Sequence, residues 1–330
     1  MKMKAWYLDS QDGLSALRLV EEAPIPAPGR GEVLVRTRVA ALNPADRYLA
    51  EKLYPAKPSF PHILGRDACG MVERAGDGVD EFKPGDRIVL LRSEVGVNAP
   101  GAFADYFLVP AAFTAHAPSG WSDDQAAAGP LAYLTAHQAL TMWGDVEPGV
   151  VVVTGSSGGV GLACIHLARA MNHRVIALSR GSSKAAALVT EGANLVLDPA
   201  DEELVAKIRD FAGKPGVALA VDNIGGAGFN SLLDVMGYGG RISCVGRLAG
   251  TVPEFNTSKL FFRRLLIGGV AAGTYTADEA RKTWAAVVDI LDATDRKPLI
   301  DSEWPFEQLL AAFARLKEGP LGKVVLRVSA

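Results

Sequence analysis

Between residues 32 and 39 apolar and polar side chains alternate, Glu-Val-Leu-Val-Arg-Thr-Arg-Val, with the period of a half-buried strand. Asp86-Arg-Ile-Val-Leu-Leu and Ala102-Phe-Ala-Asp-Tyr-Phe-Leu-Val read the same way. Turn signals separate these stretches, at Pro28-Gly-Arg-Gly, Ala75-Gly-Asp-Gly and Lys83-Pro-Gly-Asp. Past Trp121 the pattern changes. Short apolar runs at Val150–Thr154, Arg174–Leu178, Leu195–Leu197, Val217–Val221, Arg241–Val245 and Leu265–Val270 alternate with helical stretches near 160–171, 182–191, 201–211 and 226–236. Strands apolar on both faces, alternating with helices, make a parallel sheet covered on both sides. That is the doubly wound nucleotide-binding architecture. Helices over Glu279–Leu291 and Phe306–Lys317 follow, then a strand at Lys323–Val328 expected to return to the first sheet. The pattern predicts an α/β chain in three stretches: a β-rich 1–122, a nucleotide-binding 123–270 and a returning 271–330.

The 330 residues are long for one core and suit two domains. With 49% hydrophobic and 22% charged residues and a formal net charge of −3, nothing points to nucleic acid or an acidic membrane as partner. The weakly charged stretch from Gln125 to Gly144 holds Pro130 and His137 and lacks basic flanks, so it reads as a buried turn and helix, not a membrane span. The N-terminus enters a strand pattern directly, without the apolar core and cleavage site of a secretory leader. Cys69, Cys164 and Cys244 are far apart and sit in apolar segments, which predicts reduced, packed thiols in a cytoplasmic protein.

The sharpest motif is Val151-Val-Val-Thr154-Gly155-Ser-Ser157-Gly158-Gly159-Val160-Gly161, which leaves an apolar strand and opens a helix. One glycine permits the tight turn, another lets the backbone approach a pyrophosphate, and Gly161 lets helix pack closely on strand. The helix N-terminus offers free N–H groups and partial positive charge to the anion. The spacing Gly155-x-x-Gly158-x-x-Gly161 departs from the common G-x-G-x-x-G, so the βαβ context carries the assignment. The second strand selects the nucleotide. It ends in Ser179-Arg180-Gly-Ser182-Ser-Lys184, with no Asp or Glu before Glu191. An NAD site would carry a carboxylate there for the ribose hydroxyls. Arg180 instead can pair bidentately with a 2′-phosphate, Lys184 adds a point charge, and Ser179 or Ser182 can donate hydrogen bonds. These residues favour NADPH over NADH.

Further motifs run along almost the whole chain: Ala41-Leu-Asn-Pro-Ala-Asp46-Arg-Tyr48, Leu64-Gly-Arg-Asp67-Ala-Cys-Gly70, Phe82-Lys-Pro-Gly-Asp86-Arg, Gly101-Ala-Phe-Ala-Asp-Tyr, Pro130-Leu-Ala-Tyr-Leu-Thr135, Val221-Asp-Asn-Ile-Gly225 and Gly322-Lys-Val-Val-Leu. With the glycine turn, in this order, they make the chain resemble the medium-chain dehydrogenase/reductase superfamily, specifically its zinc-independent quinone oxidoreductase branch. The resemblance implies a GroES-like β-rich catalytic domain, a Rossmann domain with a six-stranded parallel sheet, a cleft between them, and a homodimer formed through edge strands near Leu265–Val270. Zinc-dependent relatives hold their metal with Cys, His (followed by Glu) and Cys. The matching positions here are Asn43, Arg66 (followed by Asp67) and Leu131, which make no zinc site. Without that Lewis acid, quinones and α,β-unsaturated carbonyls are the substrates of choice, because hydride reaches a carbon that is already electrophilic.

The resemblance also implies the site residues. Asn43, Tyr48 and Tyr54 face the nicotinamide, with Thr135 on the adjoining helix. Asn43 can bond the cofactor, and Tyr48 can hold the substrate oxygen and supply a proton, as can water. Arg66 either stabilises negative charge on the substrate oxygen or pairs with Asp46 or Asp67 and fixes the loop. Asn223 and Gly246 lie at strand C-terminal ends, where an open α/β sheet binds its ligand. Many relatives carry Tyr near position 199, where this chain has Asp198-Pro199-Ala200. Two alternatives stay open: an enoyl-CoA-type reductase with Arg47, Arg263 and Arg264 as a basic entry, and an NADPH-binding structural or sensory protein with little turnover.

Overall fold

The alternating stretch at residue 32 becomes the central strand of the first sheet. In the computed structural model, which describes residues 2–144, 146–251 and 254–329, the chain opens with β1 (Lys2–Leu8), β2 (Leu17–Pro24) and β3 (Glu32–Ala41). Helix α1 (Pro44–Ala50) and strands β4 (His62–Ile63), β5 (Ala68–Ala75), β6 (Arg87–Leu90), β7 (Tyr106–Pro110) and β8 (Thr114–His116) follow, then α2 (Asp123–Ala128). β5 pairs along one edge of β3 and β7 along part of the other, so Val33, Val35, Val39 and Ala40 are wholly buried. The expected strand from Ala102 starts only at Tyr106. Residues 102–104 are instead wholly buried between β1 and the β4–β5 turn: Trp6 N–H donates to the Phe103 carbonyl and Phe103 N–H to that of Leu64, each at 2.9 Å.

The second sheet follows the sequence reading closely. Helix α3 (Pro130–Thr141) leads to β9 (Val150–Thr154), α4 (Gly159–Ala170), β10 (Arg174–Leu178), α5 (Ala185–Thr190), β11 (Leu195–Leu197), α6 (Leu204–Ala212) and β12 (Val217–Asp222). Then come α7 (Phe229–Val235), β13 (Met236–Cys244), α8 (Ser258–Phe261) and β14 (Leu266–Gly269). All pairings are parallel, in the order β11-β10-β9-β12-β13-β14, the order that reverses between its first and fourth strands in chain sequence. β13 begins at Met236, before the expected Arg241, because Gly237 and Gly240 let its start lie close against residues 215–217. Val151, Val152, Val153, Ile176 and Ala220 are fully buried, as a sheet covered on both faces requires.

The chain ends with α9 (Ala277–Ala293), β15 (Ile300–Pro305), α10 (Leu309–Glu318) and β16 (Lys323–Arg327). β16 returns to the first sheet antiparallel to β3, and β15, unforeseen in the sequence, extends that sheet's edge. Two compact units result: Met1–Leu131 with Gly273–Val288 and Lys297–Ala330, and Ala132–Ala272 with Asp289–Arg296. The boundary expected after residue 122 therefore falls later. α2 packs on β3 and β5, and its Asp123 accepts from Arg38 and Arg87, both at 2.7 Å, which ties it to the first unit. The boundary expected at 271 is also more complex, since residues 289–296 rejoin the second unit. Among the described residues no helix is long and apolar enough to cross a membrane.

Candidate functional site

In the first unit, six side chains from distant segments converge just past the C-terminal end of β3. Asn43 starts α1 in a capping box, its backbone N–H donating to Asp46 Oδ2 at 2.9 Å. The other oxygen of Asp46 receives Arg66 Nε at 2.8 Å, and Arg66 Nη2 donates to the Ala45 carbonyl at 3.0 Å. The Arg66 guanidinium also lies over the Tyr54 ring, 4.6 Å from its centroid. On the other side of Asn43, Lys323 Nζ donates to Asn43 Oδ1 at 2.7 Å and to Asp67 Oδ2 at 3.0 Å. Arg66 and Lys323 are 2% and 5% exposed, and both carboxylates are fully buried. Burial pushes the Asp67 carboxyl above the usual carboxylate range, and the Lys323 ammonium acts against that push. Tyr48, half-buried on α1, is 5.5 Å from the Arg47 guanidinium.

Of the sequence-predicted residues in this unit, Asn43, Arg66 and Tyr54 therefore belong to one polar cluster. Arg66 takes the pairing reading, with Asp46 as its partner and not Asp67. Lys323 and the load on Asp67 escaped sequence reasoning; the only signal was the Gly322-Lys-Val-Val match at the far end of the chain. The donor set does not fit zinc. Asn43 Oδ1 is taken by an ammonium, Arg66 offers no lone pair, and the Leu131 side chain has no donor atom for a metal, its backbone N–H lying 3.4 Å from Asp67 Oδ1. Among the described residues no three His, Cys, Asp or Glu side chains are grouped to hold a metal ion.

His62, 2% exposed on β4, borders this cluster. Burial, with help from the Arg66 charge, pushes its imidazole down to about 4. The unfolded chain would take up that proton near pH 6.5. Between those values the unfolded state binds the extra proton, so this contribution is complete above about pH 6.5 and is lost as pH falls toward 4, about 3 kcal/mol in all. Urea denaturation of His62→Gln across this range should show a shallower acid loss than the parent; parallel curves would contradict the assignment.

In the second unit the glycine turn joins β9 to α4. Gly155 has φ +59°, a left-handed conformation suited to glycine. A Cβ on Gly161 would fall 2.4 Å from the Gly155 carbonyl oxygen and 2.6 Å from Ser156 Cα, so the helix sits directly on the strand end. Gly158 caps α4, and a Cβ there would meet only the Gly155 oxygen, at 3.6 Å. By helix geometry the first N–H groups of α4, from Gly159 and Val160 onward, have no intrahelical acceptor. Thr154 Oγ1 donates to Asp222 Oδ1 at 2.8 Å and accepts from Asn223 N–H at 2.9 Å, while Asn223 Nδ2 donates to the Thr154 carbonyl at 2.8 Å. These bonds lock β9 to β12 where the strand order reverses. Gly246 closes against them: a Cβ there would lie 2.2 Å from the Asn223 carbonyl oxygen. Asp222 is a further residue that the sequence did not single out.

The loop after β10 brings its cations to the same edge. Lys184 Nζ lies 3.4 Å from Ser157 Oγ on the glycine turn. Arg180 is exposed, and Asp198 accepts from Gly181 N–H at 2.7 Å and Ala200 N–H at 2.9 Å. Asp198 thus organises the Arg180 loop, and those two N–H groups hold its carboxyl below the usual range. Thr135 is half-buried on α3. Ser179 Oγ and Asn223 Oδ1 are buried without a hydrogen-bond partner among the described residues. Two orphaned polar atoms, free helix N–H groups and a turn open at Gly158 fit a dinucleotide pyrophosphate with its ribose. His166 is a packing residue, its ring bridging Tyr133 Oη and Glu191, each at 2.7 Å.

Residues 29–119 match the family model of the alcohol dehydrogenase GroES-like domain, and residues 159–293 match that of the zinc-binding dehydrogenase. The quinone oxidoreductase of Rattus norvegicus is 30% identical over 328 residues, covering 98% of this chain and 97% of that protein. The Homo sapiens quinone oxidoreductase is 28% identical over 327 residues, with the same coverage. Among solved structures, an NAD-dependent alcohol dehydrogenase superposes with a TM-score of 0.90 at 28% identity, over 99% of this chain and 100% of that one. A mycobacterial protein complexed with NADPH superposes with 0.88 at 28% identity, over 98% and 99%. The chain belongs to the medium-chain dehydrogenase/reductase superfamily, in its zinc-independent quinone oxidoreductase-like branch.

Proposed function

We propose that this oxidoreductase uses NADPH to reduce a quinone or an α,β-unsaturated carbonyl without a metal. The observation that carries the reading is the Asn43–Lys323–Asp67 cluster, in which Asn43, one of the three positions that match the zinc ligands of relatives, is bonded by a buried ammonium. A buried ammonium fills the electrostatic role of a cation there but leaves no coordination position for an alcohol oxygen. When bound, NADPH supplies the hydride. Thr154, Gly155, Ser157, Gly158, Gly159 and Val160 hold its pyrophosphate, and Asn223, Gly246 and Thr135 hold the ribose and nicotinamide side. Ser179, Arg180 and Lys184 hold the 2′-phosphate, and the absence of a carboxylate before Glu191 favours it over a free hydroxyl. Asn43, oriented by Lys323, faces the cofactor. Tyr48 binds the substrate oxygen, Tyr54 lines the pocket, and Arg66 holds both Asp46 and Tyr54 in place.

The enoyl-CoA alternative loses support from its basic entry. Arg263 Nη1 donates to the carbonyls of Asp234 and Met236, and Arg47 pairs with Glu51 at 3.4 Å. The enzyme acts as a cytoplasmic homodimer, in keeping with its free cysteines and with β14, a sheet-edge strand whose Leu266 and Ile267 are 49% and 39% exposed. The test is oxidation of NADPH and NADH by chelator-treated protein with 1,4-benzoquinone, 9,10-phenanthrenequinone and a simple enone. NADPH turnover insensitive to chelator is expected. Tight NADPH binding with no turnover across the panel would overturn the reading in favour of a non-catalytic NADPH-binding protein.

A further inference from the structure

We propose that Arg92, in the first unit, is an anion-binding residue that receives a carboxylate or comparable oxyanion carried by the substrate. The inference rests on the reductase reading above and narrows its substrate class.

Among the described residues two arginines are buried, Arg66 and Arg92. Arg66 is fully engaged by Asp46, the Ala45 carbonyl and the Tyr54 ring. Arg92 is 7% exposed, and its Nη1 is shielded from solvent with no acceptor among the described residues. A guanidinium stays protonated in a protein, so it cannot escape this situation by losing its proton. Burying a charge without a partner is heavily penalised, and such groups persist where a function holds them. The nearest carboxylate in the sequence does not answer Arg92, because Glu94 is exposed and accepts from Asn98 Nδ2.

The surroundings are shaped to admit this side chain. The guanidinium lies against Gly273: a Cβ there would fall 2.7 Å from Arg92 Nη2, 3.2 Å from Cζ and 3.3 Å from Nε. The loop that starts at Arg92 is itself pinned to the segment bearing Arg66 and Asp67. Gly101 N–H donates to the Ile63 carbonyl at 2.7 Å, and a Cβ on Gly96 would lie 2.4 Å from the Gly65 oxygen. Arg92 is therefore a nearly buried cation on a loop packed against the segment that bears Arg66 and Asp67, with one buried donor, Nη1, left for an oxyanion acceptor.

The test compares an anionic probe, a sulfonated naphthoquinone, with neutral 1,4-benzoquinone in the parent, Arg92→Met and Gly273→Ala. Gly273→Ala keeps the charge but displaces the guanidinium. Both variants should lower the ratio of kcat/KM for the anionic over the neutral quinone by about tenfold or more. An unchanged ratio in Arg92→Met would overturn the proposal. Calorimetric titration with benzoate and its neutral counterpart benzamide decides the matter even if no quinone is reduced. Benzoate binding to the parent, lost in both variants, supports the site; no benzoate binding, or binding unaltered by Arg92→Met, overturns it. Inorganic sulfate binding as tightly as benzoate would mark an adventitious ion only and also overturn it. The melting temperature of Arg92→Met should hold or rise; a large fall would make Arg92 a structural residue and sink the assignment.

Discussion

Replacing Lys323 with methionine should destabilise the first unit by about 3–5 kcal/mol, the range for removing one partner of a buried ion pair. Lys323 is 5% exposed and Asp67 is fully buried, so the substitution strands a carboxylate that solvent cannot reach. It also frees Asn43 Oδ1, whose bond to Lys323 is 2.7 Å. The loss should grow with pH. Burial already raises the Asp67 carboxyl, and without the ammonium that opposes it the group rises further. A carboxyl raised in the folded state favours folding while protonated and loses that contribution as pH rises. Asp67→Asn added to Lys323→Met should recover most of the stability, because the stranded charge is then gone. Denaturant titration at two pH values checks both statements. A loss under about 1 kcal/mol would show that the pair contributes no more than a surface contact.

The glycine turn gives the second large effect, split between two neighbouring positions. Gly161→Ala places a methyl 2.4 Å from the Gly155 oxygen and must push α4 off β9, at a cost of about 3 kcal/mol or more. Gly158→Ala meets only one atom, at 3.6 Å, and its φ of −78° suits any residue, so the fold should keep its stability. That methyl nevertheless occupies the surface proposed for the pyrophosphate. NADPH affinity measured by nucleotide fluorescence should fall about tenfold or more in Gly158→Ala while thermal unfolding stays near the parent value. Unchanged affinity in Gly158→Ala would place the pyrophosphate elsewhere. An unaltered melting temperature in Gly161→Ala would contradict the packing role of that glycine.

How far each feature was legible depended on how local its cause was. β9 and β10 agree with the sequence reading residue for residue because strands buried on both faces have a sharp apolar signature, and the half-buried edge strand β11 agrees through its all-apolar Leu-Val-Leu. The glycine turn and the Arg180–Lys184 loop were equally plain, since one βαβ unit carries every group. Short strands paired at edges, β4 and β15, have no periodicity to read. The first unit's cluster depended on pairs such as Lys323 with Asn43, 280 positions apart, which only the return of β16 to β3 brings together. Arg92 and Gly273 are another such pair. The proposed catalytic side was therefore readable only through resemblance, which supplied Asn43, Tyr48 and Arg66 but not the Lys323 ammonium bonded to Asn43.

The most direct measurement follows deuterium from NADPH labelled at nicotinamide C4 into the product of an enone, using protein whose metal content has been measured and removed. The account predicts one deuterium on the β-carbon of the saturated ketone, at the same rate with and without chelator. An unlabelled product, or transfer that appears only when zinc is restored, would contradict it.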